Sequence, residues 1–247
     1  MISTNLKWAF VTGASRGIGC ELSLFLAQKG FNLLLHARKR ENLAAVKEKV
    51  ESLGSIVHTF EAELSDSDQV IEMLAKIDEL ALRVDYVFNN AGIQIAYRHD
   101  FFKTPVEDFD LSNKINLVAP MQICYHFLPK MIANDFGRIV NTTSGIKNEP
   151  EQAGYSASKA ALDKVTKDIG SKLEGTDVMI NLVDPGWCRT DLGGPSAPND
   201  PRSTLPGVAL PAFLNDKKSG RIFEAQDFKD MLLEEAIDFV QKSTINQ

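Results

Sequence analysis

Between Trp8 and Val183 the chain alternates short apolar runs of strand length with longer amphipathic stretches, and this alternation narrows the possible folds more than any other feature. Strands are expected at Trp8 to Val11, Phe31 to Leu35, Ile56 to Phe60, Val84 to Phe88, Arg138 to Asn141 and Val178 to Val183. Helices are expected after the first strand through Leu22, Phe25 and Leu26, then from Glu41 to Leu53 and from Ser67 to Leu82. Two more cover much of Leu111 to Ala133 and the stretch from Tyr155 to Leu173. Runs this short and continuously apolar are buried on both faces, as parallel strands under helical cover are. Strand–helix–strand units cross over right-handed, so the expected architecture is one α/β domain across residues 1–247, a doubly wound parallel sheet with helices on both faces.

Composition removes several function classes. A formal net charge of -6 argues against a phosphate-backbone partner, so no nucleic acid is expected. Cys20, Cys124 and Cys188 are odd in number and far apart, and His36, His58, His99 and His126 are equally scattered. They form neither a metal-ligand spacing nor a disulfide framework; no metal is expected, and a reducing compartment suits the chain. Met1 to Lys7 lacks the basic-then-apolar pattern of a secretory signal. No apolar run approaches the roughly 20 residues needed to cross a bilayer, so a soluble cytoplasmic protein without a membrane partner is expected.

The first strand runs directly into Thr12-Gly13-Ala14-Ser15-Arg16-Gly17-Ile18-Gly19. Glycines there permit a tight turn and close approach of backbone to a diphosphate, whose charge meets the N–H groups and dipole at the start of the next helix. The spacing is Gly-x3-Gly-x-Gly rather than Gly-x-Gly-x-x-Gly. A glycine cluster can also serve a purely structural turn, but its position between strand and helix favours a dinucleotide.

With its companions, this turn resembles the short-chain dehydrogenase/reductase family. Thr12 to Gly19 looks like the family's cofactor motif, and Asn89-Asn90-Ala91-Gly92 like its motif after the fourth strand. Asn116 sits where the family has a helix asparagine, Tyr155-x3-Lys159 matches the active-site signature, and Asp184-Pro185-Gly186 with Thr190 resembles the segment closing over the nicotinamide. The motifs keep the family's order from residue 8 to about 191. The resemblance implies a Rossmann fold, a nicotinamide cofactor, and contacts to it from Gly13, Ser15, Arg16, Gly17, Ile18, Gly19, Asn90, Ala91, Gly92, Pro185, Gly186 and Thr190. Glu63-Leu64 stands where the family has an aspartate and an apolar residue near the adenine. Where an acid would bind the ribose hydroxyls of NAD, this chain has Ala37 followed by Arg38. Arg38 and Arg16 can hold a 2′-phosphate through charge-assisted bonds, so NADPH/NADP+ is expected over NADH. The competing reading makes Arg38, Lys39 and Arg40 a solvated surface cluster.

Tyr155 and Lys159 lie four apart on the expected helix and share a face. A free tyrosine titrates near ~10. A neighbouring ammonium stabilises the phenolate and lowers that value, which lets the hydroxyl act as acid or base. The resemblance implies that Lys159 also bonds the nicotinamide ribose, that Ser144 polarises the reacting oxygen with Thr143 as runner-up, and that Asn116 holds a water linking Lys159 to solvent. The implied reaction interconverts a carbonyl and an alcohol on a small molecule.

Gly186 to Pro195 resembles carbonyl-reductase-type and C-factor-type members, and Trp187 is a candidate wall of the substrate pocket. A substrate loop is expected at about 191–220, where Pro195, Pro198, Pro201, Pro206 and Pro211 interrupt regular structure. Leu192 to Asn215 is expected to act as a lid ordered by ligands, with a short helix from about Ser203 to Leu214. The family's usual C-terminal strand is replaced by Gly220 to Phe228, followed by an amphipathic helix at about 227–242. A homodimer or homotetramer is expected by resemblance, through the helices around Leu111 to Ala133 and Tyr155 to Leu173. The alternatives are a non-catalytic dinucleotide sensor or scaffold, and an epimerase or dehydratase of the same fold.

Overall fold

A computed structural model describes residues 7–245; Met1 to Leu6, read above for a signal, lie outside them. Seven strands form one parallel sheet in the order β3-β2-β1-β4-β5-β6-β7. They are β1 Trp8–Val11, β2 Asn32–Ala37, β3 Val57–Glu61, β4 Val84–Asn89, β5 Gly137–Thr142, β6 Val178–Asp184 and β7 Ile222–Glu224. Between them run α1 Gly17–Gln28, α2 Ala44–Ser52, α3 Ser67–Asp78, α4 Val106–Asn113, α5 Ala119–Ala133 and α6 Ala153–Leu173, and α7 Leu233–Ile245 follows β7. No helix among the described residues is long and apolar enough to cross a membrane.

The apolar runs do what their composition requires. β1, β2 and β6 are buried along their whole length. One core cluster packs Leu22 and Leu26 of α1, Val46 and Val50 of α2 and Ala236 of α7 on one face of the sheet. The other packs Val70 and Leu74 of α3, Phe127 of α5 and Leu162 of α6 on the opposite face. Order reverses at β1, which pairs with β2 on one side and β4 on the other. In open parallel sheets the crevice for ligands opens beyond the strand C-termini at such a point.

Several elements differ from the sequence reading. A three-residue strand, β7, does extend the sheet beside β6 within the Gly220 to Phe228 stretch. The C-terminal helix starts at Leu233 rather than near 227, because Ala225–Phe228 is a 3-10 turn and Asp230 takes a left-handed conformation (φ 66°). The Glu41 helix begins with a 3-10 turn, Arg40–Leu43, and the Ser67 helix stops at Asp78. Leu111 to Ala133 is broken by a π-turn at Lys114–Val118.

The second half of the expected lid is packed rather than loose. Val208, Ala209, Leu210, Ala212 and Leu214 belong to the buried core. The expected Ser203 helix is instead two 3-10 turns, Pro201–Thr204 and Leu210–Ala212. At its far end Arg138, 1% exposed at the start of β5, donates to Leu214 O (3.1 Å), Gly137 O (2.9 Å), Asp177 O and Asn215 Oδ1 (3.1 Å). A buried guanidinium is tolerated because those acceptors satisfy its donors.

Candidate active site

The turn after β1 is built on close backbone approach. Gly13 is left-handed (φ 65°), and a Cβ there would stand 2.9 Å from Ala91 Cα. A Cβ on Gly19 would collide with Gly13 O, so neither position accepts a side chain. Asn90 Nδ2 donates to Thr12 O (3.1 Å) and Ala91 N to Thr12 Oγ1 (3.0 Å), which ties the β4 loop to the turn. Arg16 caps α1 without a side-chain bond, leaving the helix N-terminus with Ser15, Gly17 and Ile18 open to an anion. Thr190 packs near Gly17, within 3.0 Å of where its Cβ would be.

At the end of β5 a second constellation assembles. Tyr155 and Lys159, one turn apart in α6, are both buried. Lys159 Nζ donates to Thr142 O (2.8 Å) and stands 5.9 Å from the Tyr155 ring centre. Burial pushes the ammonium down to about 8, against the pull of Asp163 and Asp184. Burial likewise raises the Tyr155 phenol above its ordinary value; a hydrogen bond with Ser144 lowers it and the Asp184 charge raises it further. The sequence expectation that Lys159 depresses this phenol is therefore corrected for the protein alone: desolvation wins. A Cβ on Gly92 would lie 3.6 Å from Lys159 Nζ and 3.2 Å from Asn116 Oδ1, so the β4 loop borders the same space.

Residues 7–200 match the family model for short chain dehydrogenases. The chain belongs to the short-chain dehydrogenase/reductase family. This short-chain dehydrogenase/reductase is 32% identical over 188 residues to a 3-oxoacyl-(acyl-carrier-protein) reductase of Thermotoga maritima, covering 75% of this chain and 76% of that one. With the oxidoreductase YvrD of Bacillus subtilis it shares 31% over 182 residues, covering 73% and 68%. A metagenomic short-chain oxidoreductase crystallised in complex with NADP matches with a TM-score of 0.76 at 30% identity, over 88% of this chain and 96% of that one. NAD+-bound xylitol dehydrogenase, at 24% identity and TM-score 0.79 over 90% and 98%, shares the fold. The enzyme is an NAD(P)-dependent oxidoreductase, and the glycine cradle and open helix N-terminus fit such a cofactor.

Not every expected contact stands ready in this short-chain dehydrogenase/reductase. Arg16 Nε is engaged in an ion pair with Asp191 (2.9 Å). Glu63 Oε1 accepts from Ser65 N (3.2 Å), and Leu64 is part of the core, so both serve the chain's own packing. Thr143 donates to Asp163. Both Asn116 donors are used, on Ile93 O (2.9 Å) and Ser158 Oγ (3.0 Å), and its oxygen accepts from Ile93 N (2.8 Å).

The supporting roles of Asp163 and His36 escaped the sequence reading, and Asp184 entered it only as the first residue of the Asp184-Pro185-Gly186 segment. His36 Nδ1 accepts from Gly13 N (3.3 Å), so its Nε2 donates to Ala62 O (3.0 Å), and the ring braces the glycine turn from β2. Protonation would turn a second ring N–H against Gly13 N–H. Burial holds the imidazole below its ordinary value. The folded state thus takes up fewer protons than the unfolded chain, and the stability contributed is present above about pH 6.5 and lost as pH falls below it. Melting curves of the parent and His36→Gln between about pH 7.5 and about pH 5 check this. The parent should lose the larger share of its melting temperature, whereas parallel curves would deny His36 the role.

Proposed function

We propose that the enzyme reduces a carbonyl on a small molecule to an alcohol with NADPH, and that Tyr155 delivers the proton. The observation that carries this reading is the buried phenol bonded to Ser144 with the Lys159 ammonium beside its ring. A phenol raised by burial is fully protonated at neutral pH, which suits a proton donor and the reductive direction. Ser144 donates to the same oxygen and fixes it at Tyr155; Lys159, anchored on Thr142 O, orients the cofactor ribose and supplies positive charge next to the phenol. NADPH, when bound, supplies the hydride. The Gly13 to Gly19 turn would hold its diphosphate, and Asn90 to Gly92, Pro185, Gly186 and Thr190 would flank its nicotinamide half. Asn116 braces Ile93; with its amide donors taken, a relay water there would depend on neighbouring backbone carbonyls.

The substrate reading is a carbonyl-reductase-type or C-factor-type ketone or aldehyde, supported by the Gly186 to Pro195 segment. Trp187, 57% exposed yet held by Nε1 donating to Gly193 O (2.7 Å), offers an immobilised aromatic wall. The substrate loop narrows to about 187–200. Cytoplasmic residence fits three cysteines that are all free thiols. A homodimer or homotetramer is supported by Leu111, Val118, Tyr125 and Ile132, which leave apolar surface exposed along the α4–α5 segment. Turnover of NADPH at 340 nm against ketones, aldehydes and quinones tests the function, and an enzyme inactive on all three classes would sink it.

NADPH preference rests on Ala37, buried at the end of β2, and on Arg38, exposed with no ion-pair partner among the described residues. A bond to a charged group contributes about 1.5–3 kcal/mol, so Arg38→Ala should erase a roughly ten- to hundredfold preference by weakening NADPH alone. Ala37→Asp should move preference to NADH. Ratios of kcat/KM for the two cofactors decide, and an unchanged ratio in both variants counts against this assignment.

A further inference from the structure

We propose that Asp184 is a positioning residue for the reaction, tying the loop that carries Ser144 to the loop of Pro185 and Gly186 through its two carboxylate oxygens. The inference rests on the roles proposed above for Ser144, Tyr155 and Gly186. Asp184 ends β6 and is buried, with 8% of its surface exposed. Its Oδ2 accepts from Gly145 N, the amide directly after Ser144, and its Oδ1 accepts from Gly186 N at 2.8 Å. One rigid group thus sets the spacing between the residue that grips the substrate oxygen and the segment that flanks the nicotinamide half. The fit leaves no slack, since a Cβ on Gly145 would come within 2.6 Å of Oδ2. Only a carboxylate presents two acceptors to two N–H donors at once; an amide of the same shape can satisfy one and meets the other with its own N–H.

Charged and titratable groups surround Asp184. Lys159 and Asp163 of α6, Tyr155, Cys188 and Glu224 of β7 all feel its charge. Glu224 is its register partner across β6 and β7; burial first, then the Asp184 charge, those of Asp227 and Asp163, and last a hydrogen bond with Asp184 raise the Glu224 carboxyl above its ordinary value. Removing the Asp184 charge therefore lets Tyr155 ionise more readily. For reduction the phenol must be protonated, so the alkaline limb of the kcat/KM profile moves to lower pH.

The test uses the full-length enzyme with Asp184→Asn, Gly145→Ala and Ser144→Ala. NADPH oxidation is measured across pH, and NADPH binding by nicotinamide fluorescence. Asp184→Asn should lower kcat roughly ten- to hundredfold, as a displacement of about 1 Å at a reacting centre does. It should also weaken NADPH binding several-fold and shift the alkaline limb downward. Gly145→Ala keeps the charge but displaces the carboxylate, so kcat should fall with the limb in place; it carries the test if Asp184→Asn fails to fold. Parent kcat and an unmoved limb in folded Asp184→Asn, or parent kcat in Gly145→Ala, would overturn the proposal. If that happens while Ser144→Ala is inactive, the site reading survives; full activity in Ser144→Ala sinks both.

Discussion

Tyr155→Phe should lower kcat by ~10²–10⁴-fold, the usual contribution of one general acid, while the fluorescence-measured affinity for NADPH stays within a few-fold of the parent. The ring fills the same buried space beside Ser144 and Lys159, so only the proton donor is lost. The hydroxyl's one bond, to Ser144, is replaced by a small unpaired gap, and stability should change little. A variant turning over within a few-fold of the parent would reject Tyr155 as the proton donor.

Lys159→Met should do something less usual: remove activity and raise stability together. The folded protein holds this ammonium at about 8 against an ordinary 10.5, because burial disfavours its charge. At about 1.36 kcal/mol per pH unit, the charged lysine is disfavoured by roughly 3 kcal/mol wherever it is protonated in both states. Methionine of similar length escapes that cost but leaves Thr142 O without its donor, at about 1–3 kcal/mol, so a net gain of up to about 2 kcal/mol is expected near neutrality. Because the folded pKa lies below the unfolded one, the parent binds fewer protons when folded and gains stability as pH rises from about 8 to 10.5. The variant's advantage should shrink over that same window. Turnover should drop by about 10²-fold or more, and the cofactor KM should rise. A less stable variant at neutral pH would show that packing around the Lys159 stem outweighs desolvation.

The contrast between these two residues explains what the sequence made legible. Tyr155-x3-Lys159 is visible because helical periodicity puts both side chains on one face, but periodicity carries no information about depth, and depth sets the direction of the phenol's shift. Six strands stood out as apolar runs of four to seven residues. The seventh, Ile222–Glu224, is too short to display any period and exists because β6 offers it an edge. The bracing roles of His36, Asp163 and Asp184 were silent for another reason. Each acts on a residue 20 to 39 positions away, on Gly13, Thr143 and Gly145, and although Asp184 also bonds Gly186 two positions on, no local pattern marks the distant partner. The short helix expected from about Ser203 to Leu214 is replaced by two 3-10 turns, Pro201–Thr204 and Leu210–Ala212, because prolines interrupt it, yet Val208, Leu210 and Leu214 are buried as a helix would have buried them.

The Arg138 clamp has a practical consequence for altering substrate scope. The excursion after β6 departs at Gly186 from the C-terminal ends of the strands and is fastened at Leu214 and Asn215 to Arg138, near the opposite end of β5. Its length is thus measured at both ends, like a strap over a board. Loop grafts between Leu192 and Asp200 fall in its mostly exposed first part, where length can vary. Insertions beyond Pro201 would have to dislodge Thr204, Val208 or Leu210 from the interior, so libraries built there would mostly sample unfolding rather than new specificity.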